Sequence, residues 1–398
     1  MLDSATVQRP PTVAGLFAGI GGLELGLSRA GFEAELLCEW WEPAQAVLKQ
    51  QFPDVPLHGD IQDLKHLPDV DVVTAGFPCT DLSQAGRTAG IHGKASGLVK
   101  HLFELLAEAS PAWVVIENVR NMLVLDRGTA MEYLVTEFER LGYRWAYRLV
   151  DSRFTGVPQR RQRVIMVASR THDPRTVLFA DDAGEPGAEH YRDDAYGFYW
   201  TEGRTGLGWA QDALPTLKGG SSLGIPSPPA LWVRGAPTGQ AIVTPDLTDA
   251  EALQGFPADW TAPAQAFGRS GTRWKLVGNA VTVGVAQWLG KRLRAPGVPI
   301  DMVHGILPKG GRWPTAAWGD ADQRWSVDAS MWPERQPYQH LLDSVDLTKA
   351  VPLSLRATAG FYGRLEVSRL RYDESFGLAV KRHAEWMAGP MAETVPRR

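Results

Sequence analysis

The strongest constraint on the fold is an alternation of short apolar runs with longer amphipathic segments, which extends from Val13 to about Ser169. The apolar runs are rich in Val, Ile and Leu and are typical of buried strands, whereas the amphipathic segments have the period of helices. The predicted strands are 13–17, 34–38, 70–74, 113–116, 145–150 and 164–168. The predicted helices are 23–30, 43–52, 97–109 and 129–141. This order predicts an α/β fold, in which helices cover both faces of a mostly parallel sheet.

The rest of the chain has a different character. Residues 171–245 are rich in Gly, Pro, Asp and aromatic residues, which predicts a second, smaller domain that is irregular or β-rich. A helical pattern returns at 247–293, where Thr248 and Glu251 have the spacing of a capping box with Thr248 as the N-cap. In the Trp-rich stretch at 296–333, we expect the tryptophans to pack rather than to stack on bases or partners.

Composition excludes several classes of protein. The formal net charge of −4 excludes a uniformly basic nucleic-acid coat but leaves room for a local basic cleft. The two cysteines, Cys38 and Cys79, cannot build a disulfide framework or a four-cysteine zinc site. No run approaches the roughly 20 apolar residues that cross a bilayer, and the first residues lack an apolar signal-peptide core. We therefore expect a soluble, cytoplasmic protein with no membrane partner.

A glycine-rich segment, Phe17 to Gly22, follows the first predicted strand and opens the first helix. Glycines let the backbone approach a ligand there, and the N–H groups of the helix face it. Glu39 ends the second strand, about 20 residues further on, where a carboxylate can bind ribose hydroxyls. Glu24 stands where a dinucleotide fingerprint has its third glycine, which disfavours a nicotinamide cofactor and favours another adenosine ligand. The alternative is a tight structural turn without a ligand.

Two reactive side chains follow the next strands. Cys79 follows the third strand and Glu117 ends the fourth, at the sheet edge where ligand sites of such folds lie. Cys79 is either a reactive thiol, which needs positive charge nearby, or an inert buried cysteine. Glu117 is either a general acid or hydrogen-bond donor, or a helix cap. The glycine-rich residues after Cys79 are compatible with a mobile lid.

A basic segment precedes the last strand of this region. In extended chain, Gln159, Arg161 and Arg163 would point to one side together. That side could enter the site, raise the thiolate fraction of the cysteine and hold a phosphate or a base. The alternative is a solvated basic edge.

Eight motifs follow one another over about residues 12–293. They are Phe17-Ala18-Gly19-Ile20-Gly21-Gly22, Glu39-Trp40, Gly59-Asp60-Ile61, Pro78-Cys79, Glu117-Asn118-Val119, Gln159-x-Arg161-x-Arg163, Leu253-Gln254-Gly255-Phe256-Pro257 and Gly278-Asn279-Ala280-Val281. In this order they resemble the DNA (cytosine-5) methyltransferase family of the bacterial C5 type. The resemblance implies a Rossmann-like, S-adenosylmethionine-dependent methyltransferase fold with a smaller target-recognition domain.

The resemblance also implies the cofactor site: S-adenosylmethionine as methyl donor, S-adenosylhomocysteine as product, and no metal. Phe17 would stack near the adenine, Glu39 would bind the ribose, and Gly19 and Gly21 would admit the methionine moiety. The implied cofactor residues are Phe17, Gly19, Ile20, Gly21, Gly22, Glu39, Trp40, Asp60, Ile61, Asn279 and Val281.

The implied reaction begins when the thiolate of Cys79 adds to C6 of a cytosine that has been flipped out of duplex DNA, which makes C5 nucleophilic. Glu117 would stabilise charge at N3, and Arg163 would contact the O2 side and support Glu117. Pro78 would fix the backbone of the thiol loop, and Arg161 completes the implied catalytic set.

The implied domains are 1–170 (catalytic and cofactor-binding, completed by 278–293), 171–277 (target recognition) and 294–398 (an extension of unknown role). Duplex DNA is the implied partner, contacted by Ser83, Gln159 and Thr216, with association to the nucleoid during activity. Proteins of a restriction–modification or phage-defence system are candidate further partners. Two groups of basic residues would form a cationic groove for DNA: Arg153, Arg160, Arg161, Arg163, Arg170 and Arg175, and Arg269, Arg273 and Lys275.

Three alternatives differ in substrate or activity. A tRNA cytosine-5 methyltransferase would share the fold, but the sizeable recognition region argues against it. A catalytically silent DNA-binding regulator would need decayed thiol or cofactor motifs, and the sequence shows no such decay. A nicotinamide-dependent oxidoreductase is disfavoured by Glu24 and by the thiol loop. Methyl transfer to duplex DNA, compared with transfer to total tRNA, separates the DNA enzyme from the tRNA enzyme.

Overall fold

The structure of the protein is a computed structural model, which describes residues 9–77, 94–218, 228–268, 271–300, 302, 304–308 and 310–389. Contacts divide these residues into two compact units. The first unit comprises the described parts of Met1–Val150, Gln162–Gly184 and Val281–Glu334. The second unit comprises the described parts of Asp151–Arg161, Glu185–Ala280 and Arg335–Arg398.

The first unit is built on a ten-stranded sheet. Its strands, numbered along the whole chain, are β1 Thr12–Leu16, β2 Glu33–Cys38, β3 Leu57–His58, β4 Val72–Ala75, β5 Trp113–Val119, β6 Arg144–Asp151, β8 Gln162–Ser169, β14 His304–Ile306, β15 Ala316–Gly319 and β16 Arg324–Val327. They lie in the order β14-β16-β15-β6-β8-β5-β4-β1-β2-β3. Strands β1 to β5 pair in parallel, whereas β8 joins β5 and β15 joins β6 in antiparallel pairing. The predicted α/β fold is confirmed, with an antiparallel extension on one side.

Helices pack against this sheet. They are α1 Gly22–Arg29, α2 Glu42–Gln51, α3 Lys94–Glu108, α4 Thr129–Arg140, α5 Arg175–Leu178 and α8 Val283–Arg294. Helices α1 and α8 approach closely. A Cβ atom on Gly26 of α1 would lie only 2.4 Å from the Cβ atom of Ala286 of α8. This contact brings the chain after Val281 into the first unit. In the described part of the chain, no helix combines the length and the apolar character needed to cross a membrane.

The second unit contains a five-stranded antiparallel sheet and a separate parallel strand pair. The sheet strands are β9 Ala195–Phe198, β10 Ala210–Gln211, β12 Ala230–Val233, β13 Ile242–Thr244 and β17 Val351–Pro352, and the pair is β7 Gln159–Arg160 with β11 Leu214–Pro215. The sheet order is β10-β9-β12-β13-β17. The helices are α6 Leu247–Leu253, α7 Gly271–Asn279, α9 Leu341–Ser344, α10 Leu355–Glu366 and α11 Glu374–Ala388.

Residues 294–398, predicted as one extension, are shared between the two units. In the first unit, β15 pairs with β6, and the buried Trp313 stacks edge-on against Trp145. In the second unit, Phe361 of α10 and Phe376 of α11 pack against Phe198 of β9 in a buried aromatic core. The expectation that the tryptophans of 296–333 pack is confirmed for Trp313 and for Trp332, which is also buried.

The cap of α6 differs from the predicted one. The N-cap is Asp246, whose carboxylate accepts a hydrogen bond from Thr248 N, and Asp249 takes the reciprocal position. Glu251 is instead fully buried and accepts hydrogen bonds from Thr261 N at 2.9 Å and Arg273 Nη2 at 3.1 Å. The prediction of Thr248 as N-cap is therefore wrong, because an aspartate two residues earlier caps the same helix.

Candidate active site

The glycine loop between β1 and α1 is held in an unusual backbone conformation. Phe17, Gly19 and Gly21 have φ angles of 55°, 59° and 81°, in the left-handed region that favours glycine. The carboxylate of Glu39, at the end of β2, accepts hydrogen bonds from Gly19 N and Trp41 N, both at 2.8 Å. Glu39 therefore ties the loop to the neighbouring strand end.

The glycines of this loop serve different purposes. A Cβ atom on Gly21 would lie 2.5 Å from the ring of Phe52, so Gly21 is required by packing within the protein. A Cβ atom on Gly19 would meet no described atom within 4 Å, so the backbone there borders open space. Ile20 is buried, and Gly22 is the first residue of α1. Gly19 is thus the loop residue beside which a ligand has room.

Polar and aromatic groups border the same sheet edge. Glu39 is buried, and burial raises the pKa of its carboxyl against the opposing effect of the Trp41 and Gly19 amides. Trp40 is 71% exposed, and Asp60 caps a short 3₁₀ helix by accepting a hydrogen bond from Gln62 N. Each oxygen of Glu39 keeps acceptor capacity, since a carboxylate oxygen can accept more than one hydrogen bond.

The remaining members of the predicted cofactor set lie in three different settings. Ile61 is buried beside Asp60, and Phe17 contacts Phe77 edge-on, with ring centroids 5.8 Å apart. Val281 is buried with Leu23 of α1 in the first unit. Asn279, the last residue of α7, is exposed and belongs to the second unit.

Glu117 and Arg163 form a buried ion pair where β4 and β5 end. Arg163 Nε lies 2.8 Å from Glu117 Oε1, and the two side chains are 10% and 9% exposed. The antiparallel register places Arg163 opposite Val119, two residues beyond Glu117. A Cβ atom on Gly76 would lie 3.7 Å from Glu117 Oε2, so this carboxylate borders the backbone just after β4.

The predicted thiol loop begins immediately after this point. Pro78, Cys79 and Ser83 lie outside the described residues. Phe77, the last described residue before them, is anchored by a hydrogen bond from Asn118 Nδ2 to its carbonyl oxygen at 3.0 Å. The backbone that leads into the loop is therefore fixed beside the carboxylate of Glu117.

Arg161 lies in the second unit and is fully buried. Its guanidinium donates hydrogen bonds to the carbonyl oxygens of Leu217 at 3.3 Å, Gly278 at 3.2 Å and Ala280 at 2.7 Å. The chain leaves β7 at Arg160 and enters β8 at Gln162, so the strict alternation that would align Arg161 with Arg163 is interrupted between them. These contacts fix the backbone around Asn279.

Two neighbours complete this arrangement within the second unit. Gln159 is buried, donates from Nε2 to the carbonyl oxygen of Leu253 and accepts from Leu217 N. Thr216, predicted to face DNA, donates from its hydroxyl to the carbonyl oxygen of Arg160 at 3.0 Å. Sequence reasoning missed Gln254, whose Nε2 donates to the carbonyl oxygens of Val277 and Ala280. Its signal was the Leu253–Pro257 motif, to which no role had been assigned.

The arginines predicted to form a cationic groove are used largely inside the fold. Arg153 pairs with Asp151, and Arg170 donates to the carbonyl oxygens of Leu141 and Leu106. Arg175 pairs with Asp173. Sequence spacing therefore overestimates the positive charge that these residues can offer to a partner.

Replacement of Arg161 by methionine should destabilise the second unit. Three buried carbonyl oxygens would each lose a hydrogen bond, and that of Ala280 would keep only the one from Gln254, so we expect the free energy of unfolding to fall by about 2–4 kcal/mol. Urea unfolding followed by circular dichroism measures this loss. The matched control is Arg369→Met at an exposed position of the same unit, with an expected change within about 0.5 kcal/mol. Equal effects of the two substitutions would contradict the assignment.

Comparison with known proteins gives consistent matches. Residues 12–190 match the family model of C-5 cytosine-specific DNA methylases. The chain is 45% identical over 384 residues to the Type II methyltransferase M2.BsuMI of Bacillus subtilis (strain 168), covering 93% of this chain and 97% of that relative. It is 33% identical over 157 residues to the Type II methyltransferase M.HhaI of Haemophilus parahaemolyticus, covering 39% and 48% of the two chains. The crystal structure of the S. pombe Dnmt2 methyltransferase has a TM-score of 0.55 at 16% identity, covering 71% and 98%, which shows a shared fold.

Proposed function

Since this chain belongs to the family of C-5 cytosine-specific DNA methylases, we propose that it transfers a methyl group from S-adenosylmethionine to C5 of cytosine in duplex DNA. Methylation of DNA cytosines at C5 follows from the family. The particular donor and the residue roles are the proposal. The observation that carries it is the buried Glu117–Arg163 pair, which lies beside the backbone that leads into the Cys79 loop.

The residues at the glycine loop fit S-adenosylmethionine. Gly19 borders open space, and Glu39 offers a buried carboxylate to ribose hydroxyls. The exposed Trp40 and the half-buried Phe17 give aromatic surfaces for an adenine. The bound donor would supply an electrophilic methyl group. Glu39 also orders the loop in advance through Gly19 N, which lowers the conformational cost of binding.

The proposed chemistry balances around Cys79. Its thiolate forms a bond to C6 of the cytosine, the π electrons of C5=C6 move into the C4–C5 bond, and those of C4=N3 move to N3, which takes up a proton. The resulting enamine makes C5 nucleophilic. C5 would then bond to the methyl carbon of S-adenosylmethionine, whose bond to the sulfonium sulfur breaks and leaves neutral S-adenosylhomocysteine. A base removes the C5 proton, and the C5=C6 double bond re-forms as the thiolate is expelled and N3 returns its proton. Glu117, placed by β5 and held by Arg163, would donate a proton or hydrogen bond at N3.

Two further features of the proposal concern DNA. Ring atoms C5 and C6 are stacked inside a duplex, so the target base must leave the helix before the thiolate can reach it. The second unit, which contains most of residues 171–277, would select the sequence. Because its relatives are named Type II methyltransferases, we propose that the enzyme serves a restriction–modification system beside an endonuclease.

Replacement of Gly19 by alanine should weaken binding of S-adenosylmethionine. The added methyl group would enter the open space beside the loop, and an excess methyl group in a fitted site costs roughly 10- to 100-fold in affinity. Calorimetric titration measures the dissociation constant. The matched control is Gly142→Ala, at a glycine with φ 77° that also borders open space in the same unit. Both substitutions strain a left-handed residue by about 1 kcal/mol, so an equal loss of affinity would contradict the placement of the cofactor.

Expression in a host that lacks cytosine methylation tests the function directly. Bisulfite sequencing of the host DNA should show 5-methylcytosine at one short sequence. The purified protein should transfer labelled methyl groups to duplex DNA and not to total tRNA. Transfer to tRNA alone, or no transfer to either substrate in the presence of S-adenosylmethionine, would overturn the proposal.

A further inference from the structure

A buried carboxyl group lies in the first turn of α1, which directly follows the glycine loop. Glu24 is the third residue of α1 and is 1% exposed. The hydroxyl of Thr74, on β4, donates a hydrogen bond to Glu24 Oε1 at 3.2 Å. Among the described residues, Glu24 Oε2 has no hydrogen-bond partner. Burying such a group costs free energy, so its retention beside a ligand site calls for a functional reason.

Strand β1 makes room for this carboxyl. A Cβ atom on Gly15 would lie 2.2 Å from Glu24 Oε1 and 2.9 Å from its carboxyl carbon. Gly15 does not adopt a left-handed conformation, so the turn chemistry of the loop does not explain a glycine there. The space beside β1 is therefore occupied by a carboxyl group that α1 supplies.

The charge of Glu24 is coupled to the cofactor loop. Burial raises the pKa of the Glu24 carboxyl to about 7. The negative charge of Glu39 also raises this pKa, whereas hydrogen bonds from the backbone N–H of Glu24 and from the Thr74 hydroxyl lower it. Glu39 is the carboxylate that holds Gly19 N, and its charge reaches Glu24. A ligand bound at Gly19 and Glu39 therefore lies within electrostatic range of a second acidic group, which is partly ionised near neutral pH.

We propose that Glu24 is a specificity-determining residue that makes the site prefer the cationic S-adenosylmethionine over its product S-adenosylhomocysteine. The inference rests on the proposed cofactor. The two ligands differ at one sulfur atom, which is a positively charged sulfonium in the donor and a neutral thioether in the product. An ionised Glu24 attracts the first and not the second, so methyl transfer removes part of the binding energy and favours product release.

The same coupling predicts proton release. A bound cation favours the ionised form of Glu24 and lowers its pKa, so binding of the donor near pH 7 expels a fraction of a proton into solution. Binding of the product leaves the carboxyl largely as it was. This proton count does not depend on turnover, and packing alone would not produce it.

Calorimetric titration of the full chain at pH 7, in two buffers of different ionisation enthalpy, tests the proposal. In the wild type, S-adenosylmethionine should release more protons than S-adenosylhomocysteine. In Glu24→Gln, the excess should vanish and the preference for the donor should fall roughly three- to tenfold. The matched control is Glu42→Gln, at an exposed carboxyl in the first turn of α2, which should change neither quantity.

A second variant separates charge from packing. Gly15→Asp combined with Glu24→Ala returns a carboxyl to nearly the same space from β1, and it should restore the preference for the donor. Unchanged preference and unchanged proton release in Glu24→Gln would overturn the inference while leaving the proposed function intact. Failure of the wild type to bind either ligand would instead overturn the proposed cofactor, and the inference with it.

Discussion

Replacement of Cys79 by alanine should abolish methyl transfer, with a loss of more than about 10⁴-fold in kcat. The reason is chemical: C5 of cytosine is a poor nucleophile until a thiolate has added to C6, and alanine cannot form that bond. The measurement is transfer of tritiated methyl groups to duplex DNA. Binding of S-adenosylmethionine should survive, because the glycine loop and Glu39 belong to other strand ends.

A trapping experiment makes this prediction specific. In duplex DNA that contains 5-fluorocytosine, the C5 proton is replaced by fluorine, so the thiolate cannot be expelled and the protein stays attached to DNA. The adduct should form with the wild type and disappear in Cys79→Ala. Cys38→Ala is the matched control, since Cys38 is buried and burial raises the pKa of its thiol to about 12, which keeps it unreactive. An adduct that persists in Cys79→Ala, or disappears in Cys38→Ala, would contradict the assignment.

The sequence predicts those parts of the fold that depend on short-range pattern. Continuous apolar runs identify β1, β2, β4 and β5, and parallel strands place their carboxyl ends at one edge. That rule predicts that Glu39 and Glu117 both lie at strand ends. Glu39 directly follows β2, whereas β5 continues two residues beyond Glu117. The glycine loop is also predictable from local sequence, because two of its three left-handed residues are glycines and all three lie within five consecutive positions.

Contacts between distant segments could not be predicted in this way. Strand β15 pairs with β6, which lies more than 160 residues earlier in the sequence, and no pattern in residues 316–319 predicts that pairing. Arg161 shows the same limit at short range. Alternation along an extended chain aligned it with Arg163, yet the strand is interrupted at Arg161, and its partners are carbonyl oxygens from residues 217, 278 and 280. Sequence pattern identifies such a residue as basic, whereas only the folded chain shows that its charge is used internally.

Glu24 extends this argument to function. The absence of a third glycine served as evidence against a nicotinamide cofactor, and the carboxyl itself received no role. The position of the Glu24 carboxyl depends on Gly15 and Thr74, which lie on two different strands, so no local sequence pattern predicts it. The glycine in β1 is the sequence signal that accompanies it, since a strand interior seldom gains from a missing side chain.

Replacement of Glu117 by glutamine should lower kcat by about 10²- to 10⁴-fold, because the amide cannot donate a proton to N3 of the cytosine. The variant should still bind DNA and S-adenosylmethionine, so the loss should appear in kcat rather than in KM. Single-turnover transfer of labelled methyl groups measures it. The amide also leaves Arg163 without its counter-charge in a buried setting, which should reduce stability by about 3–5 kcal/mol.

A second buried ion pair separates this loss of stability from the loss of chemistry. Glu139 lies 2.8 Å from Arg324 in the same unit, and the two side chains are 11% and 5% exposed, close to the values for Glu117 and Arg163. Arg324 also pairs with Glu132 at 2.8 Å, so Glu139→Gln should lower the melting temperature by less than Glu117→Gln. Its kcat should stay within about twofold of the wild type, because surviving folded molecules keep an intact site. If the two variants lost activity in proportion to their loss of stability, Glu117 would be a structural residue and the proposed proton donor would have to be sought elsewhere. A loss of kcat in Glu117→Gln that exceeds its loss of stability would support Glu117 as the proton donor, beside Gly76 and the chain that leads toward Cys79.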